Sequence, residues 1–259
     1  MTTARVDVGL WLRRFHTSAP NAPRLVCFPH AGGSASWYHP MSATLSPDVE
    51  VHAVQYPARQ DRRREPADYD IGGLAESIAQ AIAQGFADPP RRPLLFFGHS
   101  MGAVLAFETA RALARRGLSG PDHLIASGRR SPTTHRDERV HQRDDAGVLR
   151  ELRELDGTDG RLLQDEEIVR MAMPSIRADY RAVETYRLAD ATPVSCPITV
   201  LTGDADPKTT VAEALAWKEL TSGGFTSKVF RGGHFFLVEH QQAVYTLLRT
   251  LAAETALAG

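Results

Sequence analysis

Apolar residues fall along this chain in short unbroken runs, separated by longer stretches where they recur every three or four positions. The runs at 24–29 (RLVCFP), 49–55 (around EVHAVQ), 94–97 (LLFF), 123–127 (HLIAS), 197–202 (PITVLT) and 226–230 (TSKVF) read as strands. LWLRRF at 10–15 offers a further strand near the N-terminus. Continuous rather than alternating apolar character predicts strands buried on both faces of a mostly parallel sheet. Between the runs, Ile71, Leu74, Ile78 and Ile82 keep helical spacing and predict a helix over 70–86. A second helix spans 101–116, with Gly117 as its stop signal, and two more read over 208–220 and 238–255. Alternation of strand and helix argues for an α/β fold in a single domain spanning 1–259.

One stretch breaks the rhythm. Residues 136–190 contain no convincing strand and read as three short helices, at 145–155, 165–173 and 175–187. Of the 35 residues from 136 to 170, 11 are acidic and 7 basic. A charged, all-helical insertion between two core strands is expected to lie as a lid over the carboxyl edge of the sheet, where such folds bind ligands. A plain solvated excursion is the alternative.

Composition narrows the classes. The chain has 259 residues, enough for a sizeable core, and a formal net charge of −1, which gives no bulk argument for nucleic acid or a membrane surface. Cys27 and Cys196 both sit in apolar stretches with no C-x-x-C spacing, so they read as small buried hydrophobes. The N-terminus carries no signal-like apolar core, and no apolar run is long enough to span a bilayer. The expectation is a cytoplasmic monomer that keeps its thiols reduced.

The chemistry is concentrated after LLFF, where Gly98-His99-Ser100-Met101-Gly102 places a serine between two glycines at a strand-to-helix junction. G-x-S-x-G in that setting is the signature of a nucleophile elbow, a strained turn that exposes the serine hydroxyl at the sheet edge. The amide of Met101 then opens a helix and faces any oxyanion formed at Ser100. A serine nucleophile needs a base, and the base an orienting acid. Both follow later strands: TGDADP after 197–202, and RGGHFFLVEH after 226–230. Asp206 lies further into its loop than Asp204 and precedes Pro207, so it is favoured as the acid, with Asp204 as a turn former. His234, after Gly232-Gly233, is the candidate base; His99 is too close in sequence to face the Ser100 hydroxyl and reads as packing beneath the elbow. A second oxyanion donor is expected from Pro29-His30-Ala31-Gly32-Gly33, either the amide of His30 or that of Ala31. No ligand cluster accompanies His30, so no metal is called for, nor any cofactor.

With these parts assembled the chain resembles an α/β-hydrolase, and more narrowly the type II (editing) thioesterases of polyketide and nonribosomal peptide synthesis. The resemblance rests on LVCFPHAGGSASWY, VQYPARQDRRREP, LLFFGHSMGA, SGRRSP, MPSIRADYRAVETY, CPITVLTGDADP and FRGGHFFL, which span about 25 to about 240. One departure is Ala58, where the family usually has glycine. The resemblance implies an α/β-hydrolase fold with a helical lid. It also implies hydrolysis of stalled or aberrant acyl groups held as thioesters on phosphopantetheine arms, with acyl-loaded carrier proteins as partners. Arg59, Arg62, Arg63 and Arg64 form a basic run that reads either as a solvated loop or as a docking patch for an acidic carrier. A cytoplasmic carboxylesterase or an acyltransferase using the same three residues remains the alternative.

Overall fold

The computed structural model describes residues 6–87, 91–155 and 166–258. Seven strands form one sheet: β1 (Leu12–Arg13), β2 (Arg24–Phe28), β3 (Glu50–Val54), β4 (Leu94–His99), β5 (His123–Ser127), β6 (Ile198–Gly203) and β7 (Phe225–Phe230). Their spatial order is β1-β3-β2-β4-β5-β6-β7, antiparallel only where β1 meets β3 and parallel elsewhere. The helices are α1 (Val8–Trp11), α2 (His39–Leu45), α3 (Ile71–Gly85), α4 (Met101–Arg115), α5 (Asp145–Leu155), α6 (Glu166–Thr185), α7 (Val211–Leu215), α8 (Phe236–Glu239) and α9 (Gln241–Ala258).

The central strands are apolar on both sides because both sides are covered. Val26, Phe28 and Phe96 join one core with α3 and α4, while Leu25, Cys27, Leu95 and Phe97 join another with α2 and α9. The edge strand β7 departs from the expected burial on both faces: it is exposed over most of its length, because it ends the sheet and carries Thr226, Ser227 and Lys228 there. Cys27 and Cys196 are both free and buried.

Several expected boundaries shift for local reasons. Only Leu12–Arg13 of the N-terminal run is strand; the Asp7 side chain caps a one-turn helix just before it. The helix expected from 208 starts at Val211 because Thr210 and Glu213 form a capping box there, and it tightens into a 3-10 turn over Ala216–Leu220. The terminal helix divides at His240, whose ring bonds the Arg231 carbonyl at 2.8 Å.

The two helices expected at 165–173 and 175–187 are one, α6, which runs through Pro174; residue 165 lies outside the described residues. A proline inside a helix costs about 3 kcal/mol. The apolar residues on both sides of it, Met173, Ile176 and Tyr180, pack into one cluster with Val140, Val148 and Leu152 of the same insertion. Burying one such side chain contributes roughly 1.5–3 kcal/mol, so continuous packing outweighs the break. This cluster also covers Ala31, in the loop after β2. The insertion between β5 and β6 therefore sits at the carboxyl end of β2 and β4.

Candidate active site

Ser100 follows β4 and precedes α4 with φ 55° and ψ −118°, a backbone conformation that L-residues rarely adopt. The strain persists because the surroundings leave no alternative. A Cβ on Gly98 would stand 2.1 Å from the Gly102 carbonyl oxygen, and one on Gly102 would stand 2.0 Å from the Phe28 oxygen. Only glycine at both positions lets α4 start this close to the ends of β2 and β4. Serine before a helix usually caps the first turn with its own oxygen; here it makes no such bond, and its Oγ instead lies 2.9 Å from His234 Nε2.

His234 Nδ1 lies 2.9 Å from Asp206 Oδ2. With the carboxylate as acceptor, Nδ1 carries the proton and Nε2 is left to accept from the Ser100 hydroxyl. The second oxygen of Asp206 accepts the Lys208 backbone N–H at 2.8 Å, which fixes the carboxylate plane. Asp206 and His234 are both buried. Asp204 instead accepts the Gly232 N–H at 2.9 Å, tying together the two loops that carry Asp206 and His234. The structure thus brings Ser100, His234 and Asp206 into one hydrogen-bonded line, with Asp204 holding its scaffold.

Two further imidazoles crowd this line. The His99 ring lies 5.1 Å from that of His234 and 6.2 Å from that of His30. Burial, and then the neighbouring His234, hold His99 well below the usual histidine range and lower His30 to about 3. Both stay neutral at ordinary pH.

The loop after β2 forms a turn in which the Gly33 N–H bonds the His30 carbonyl at 2.9 Å and Gly32 takes φ 77°, as the third position of a type II turn requires. Its remaining amides are spoken for in order: Gly33 by His30, and Gly32 by Asp179 Oδ2 of α6 at 2.7 Å. That leaves the amides of His30 and Ala31, and both residues line the cavity above Ser100. Met101, at the first position of α4, contributes the other candidate amide. Leu152 and Leu155 of α5 and Tyr180 and Val183 of α6 roof the cavity, whose volume is about 30 Å³.

Sequence reasoning missed two groups here. Lys208 also lines the cavity, and its ammonium pairs with Glu138 at 2.8 Å and with Glu151 of α5. Its position two residues after Asp206 was the only available signal. The second group corrects the basic run. Arg59 is buried in an ion pair with Asp179, and Arg62 is buried against Glu65 and over the Trp11 ring, 4.1 Å from its centroid. Arg63 and Arg64 alone of the four are exposed. Among the described residues no group of side chains has metal-site geometry.

A family model described as Thioesterase domain matches residues 23–254. The chain belongs to the thioesterase family. This thioesterase is 54% identical over 246 residues to a probable cadicidin biosynthesis thioesterase of Streptomyces griseus, covering 95% of this chain and 67% of that protein. It is 48% identical to thioesterase PikA5 of Streptomyces venezuelae, covering 90% of this chain and 82% of the relative. Among solved structures, the type II thioesterase BorB from the borrelidin biosynthetic cluster superposes with a TM-score of 0.86 at 46% identity, covering 98% of this chain and all of that one. Membership makes the enzyme a hydrolase acting on thioesters. No helix among the described residues is long and apolar enough to cross a membrane.

Proposed function

We propose that this thioesterase cleaves acyl groups from the phosphopantetheine thioesters of carrier domains in polyketide or nonribosomal peptide assembly, through a covalent acyl-Ser100 intermediate. The observation that carries the reading is the hydrogen-bonded line from Ser100 Oγ through His234 to Asp206 at the floor of a roofed cavity. The relatives' own roles in cadicidin and borrelidin biosynthesis support the substrate class.

The chemistry follows from the geometry. Ser100 Oγ attacks the thioester carbonyl while its proton passes to His234 Nε2. Asp206 holds the imidazole in the tautomer that can accept that proton and faces the imidazolium that results. The amides of Met101 and of His30 or Ala31 stabilise the tetrahedral oxyanion, each such donor contributing roughly 3 kcal/mol. The C–S bond breaks, the thiol leaves with the proton from His234, and the acyl group stays on Ser100. Water then gives a proton to His234 as it attacks the acyl carbonyl, and the free acid departs from a regenerated Ser100.

A cavity of about 30 Å³ has room for only one or a few waters. Entry of an acyl chain therefore calls for α5 and α6, or the side chains they place over Ser100, to move aside, and in this sense the insertion would act as a lid. Incubation of the enzyme with an acyl thioester followed by intact-mass measurement tests the reading. It predicts a transient adduct of one acyl group, absent in Ser100→Ala; an adduct that survives in Ser100→Ala would overturn it.

A further inference from the structure

Asp179 and Arg59 are far apart in sequence and take no direct part in the proposed chemistry, yet both are almost wholly buried beside the loop after β2. Their bonds converge on that loop. Asp179 Oδ2 accepts the Gly32 N–H at 2.7 Å and also pairs with Arg59 Nη2. Arg59 Nε donates to the Gly33 carbonyl at 2.8 Å, and its Nη1 to the Pro57 carbonyl at 2.8 Å and to Tyr69 Oη at 3.0 Å. The Tyr69 hydroxyl closes the ring by donating to Asp179 Oδ1 at 2.8 Å. Burial pushes the Arg59 guanidinium down, but the Asp179 carboxylate beside it more than reverses this and holds it above its usual range, so the guanidinium stays charged.

The effect on the loop can be followed one peptide at a time. The His30–Ala31 peptide has its carbonyl tied to the Gly33 N–H. Because a trans peptide is planar, the Ala31 N–H then points the opposite way, out of the turn. The next peptide, Ala31–Gly32, is the one that flips between turn types, and Asp179 holds it through the Gly32 N–H. The carbonyl of Gly33 is held by Arg59. Two consecutive glycines would otherwise leave this turn free to change shape. The chain bears strain to present Arg59: its neighbours Ala58 and Gln60 sit at φ 63° and 46°, and neither is glycine. Strained residues of this kind persist where the surroundings over-determine them and cluster at functional sites.

We infer that Asp179 and Arg59 are positioning residues that set the oxyanion-binding turn from the roof helix α6 and the loop after β3. The inference rests on the proposed function, because the turn matters only if it receives an oxyanion. Asp179 lies on the same helix as Tyr180 and Val183, which roof the cavity. A Cβ on Gly32 would come within 3.3 Å of Ile176, one turn earlier on α6. The helix that covers the acyl group and the turn that stabilises its transition state are thus held in one register.

The test uses Asp179→Asn, Arg59→Lys and Tyr69→Phe with an acyl N-acetylcysteamine thioester and a trifluoromethyl ketone transition-state analogue. A misplacement near 1 Å costs on the order of 100-fold, so kcat should fall roughly 10- to 100-fold in Asp179→Asn. A smaller fall is expected in the other two variants, with KM changed less than threefold throughout. The inhibition constant of the ketone should weaken in step with kcat/KM. If Asp179→Asn does not fold, Arg59→Lys and Tyr69→Phe carry the same comparison. Variants that lose thermal stability but keep wild-type kcat and ketone affinity would show a structural role only and overturn the inference. Wild-type enzyme inactive on every thioester, or fully active as Ser100→Ala, would instead remove the proposed function beneath it.

Discussion

Replacing Gly102 by alanine tests how closely the elbow is built. The new Cβ would stand 2.0 Å from the Phe28 oxygen, 2.6 Å from the Phe28 carbonyl carbon and 2.8 Å from the Pro29 oxygen. Every one of these is backbone, so no side chain can rotate aside. Restoring ordinary contact requires α4 and the chain at 28–29 to part by about 1 Å. Phe28 is paired with Gly98 across the sheet, so the shift falls on Met101 and on the turn at His30–Ala31, which supply the candidate oxyanion amides. Overpacking of this kind costs about 1–3 kcal/mol, and alanine's better helix propensity returns about 1 kcal/mol at most. A net loss of up to about 2 kcal/mol corresponds to a fall in Tm of roughly 4–8 °C for a chain of this size. The kinetic effect should exceed the thermal one, since a misplacement near 1 Å costs on the order of 100-fold in rate. Gly233→Ala is the control, because nothing lies within 4 Å of the Cβ it would add. Calorimetry and thioester turnover on both variants decide the matter. Gly102→Ala with unchanged kcat would refute the claim that the glycine is required by the approach of α4 to the β2 loop.

Asp206→Asn should lower kcat by several orders of magnitude, since the wrong tautomer of His234 is then favoured, whereas Asp204→Asn should reduce it only modestly through the Gly232 contact; equal losses would mean the acid has been misassigned. Ala58→Gly should leave the enzyme equally or slightly more stable, by up to about 1 kcal/mol. It relieves about 1–2 kcal/mol of left-handed strain against about 0.4–1 kcal/mol of added chain entropy and part of one buried methyl; a clear drop in Tm would contradict this. Glu138 is penalised by burial, but Lys208 and Arg130 more than offset this and lower its pKa to about 2. A depressed acid stabilises the fold above its unfolded pKa and loses that contribution as pH falls through the folded value. Wild type should therefore lose stability between about pH 4.5 and 2, a slope that Glu138→Gln flattens in acid-denaturation curves.

Elements whose cause is local were legible from the sequence. Strands β2 to β6 announce themselves as apolar runs because both their faces are covered, and G-x-S-x-G marks its own turn. The positions of Asp206 and His234 follow from their place after β6 and β7. Helix α2 was not read: it has seven residues and starts at His39-Pro40, too short for a periodic signal. Pro174 reads as a helix break in the sequence, which does not show the shared apolar cluster that carries α6 through it. The burial of Arg59 and Arg62 is not legible in the basic run for the same reason at longer range. Nothing near Arg59 in sequence reveals Asp179, which lies 120 positions away, so a buried clamp resembles a solvated charge cluster.

The central claim is that a carrier-bound thioester is the substrate. Its most direct test presents one acyl group three ways: on a carrier protein, as the free N-acetylcysteamine thioester, and as an oxygen ester. The account predicts the highest kcat/KM for the carrier-bound thioester, lost in Ser100→Ala. A preference for the oxygen ester, with no gain from the carrier, would contradict it and make the enzyme a general esterase.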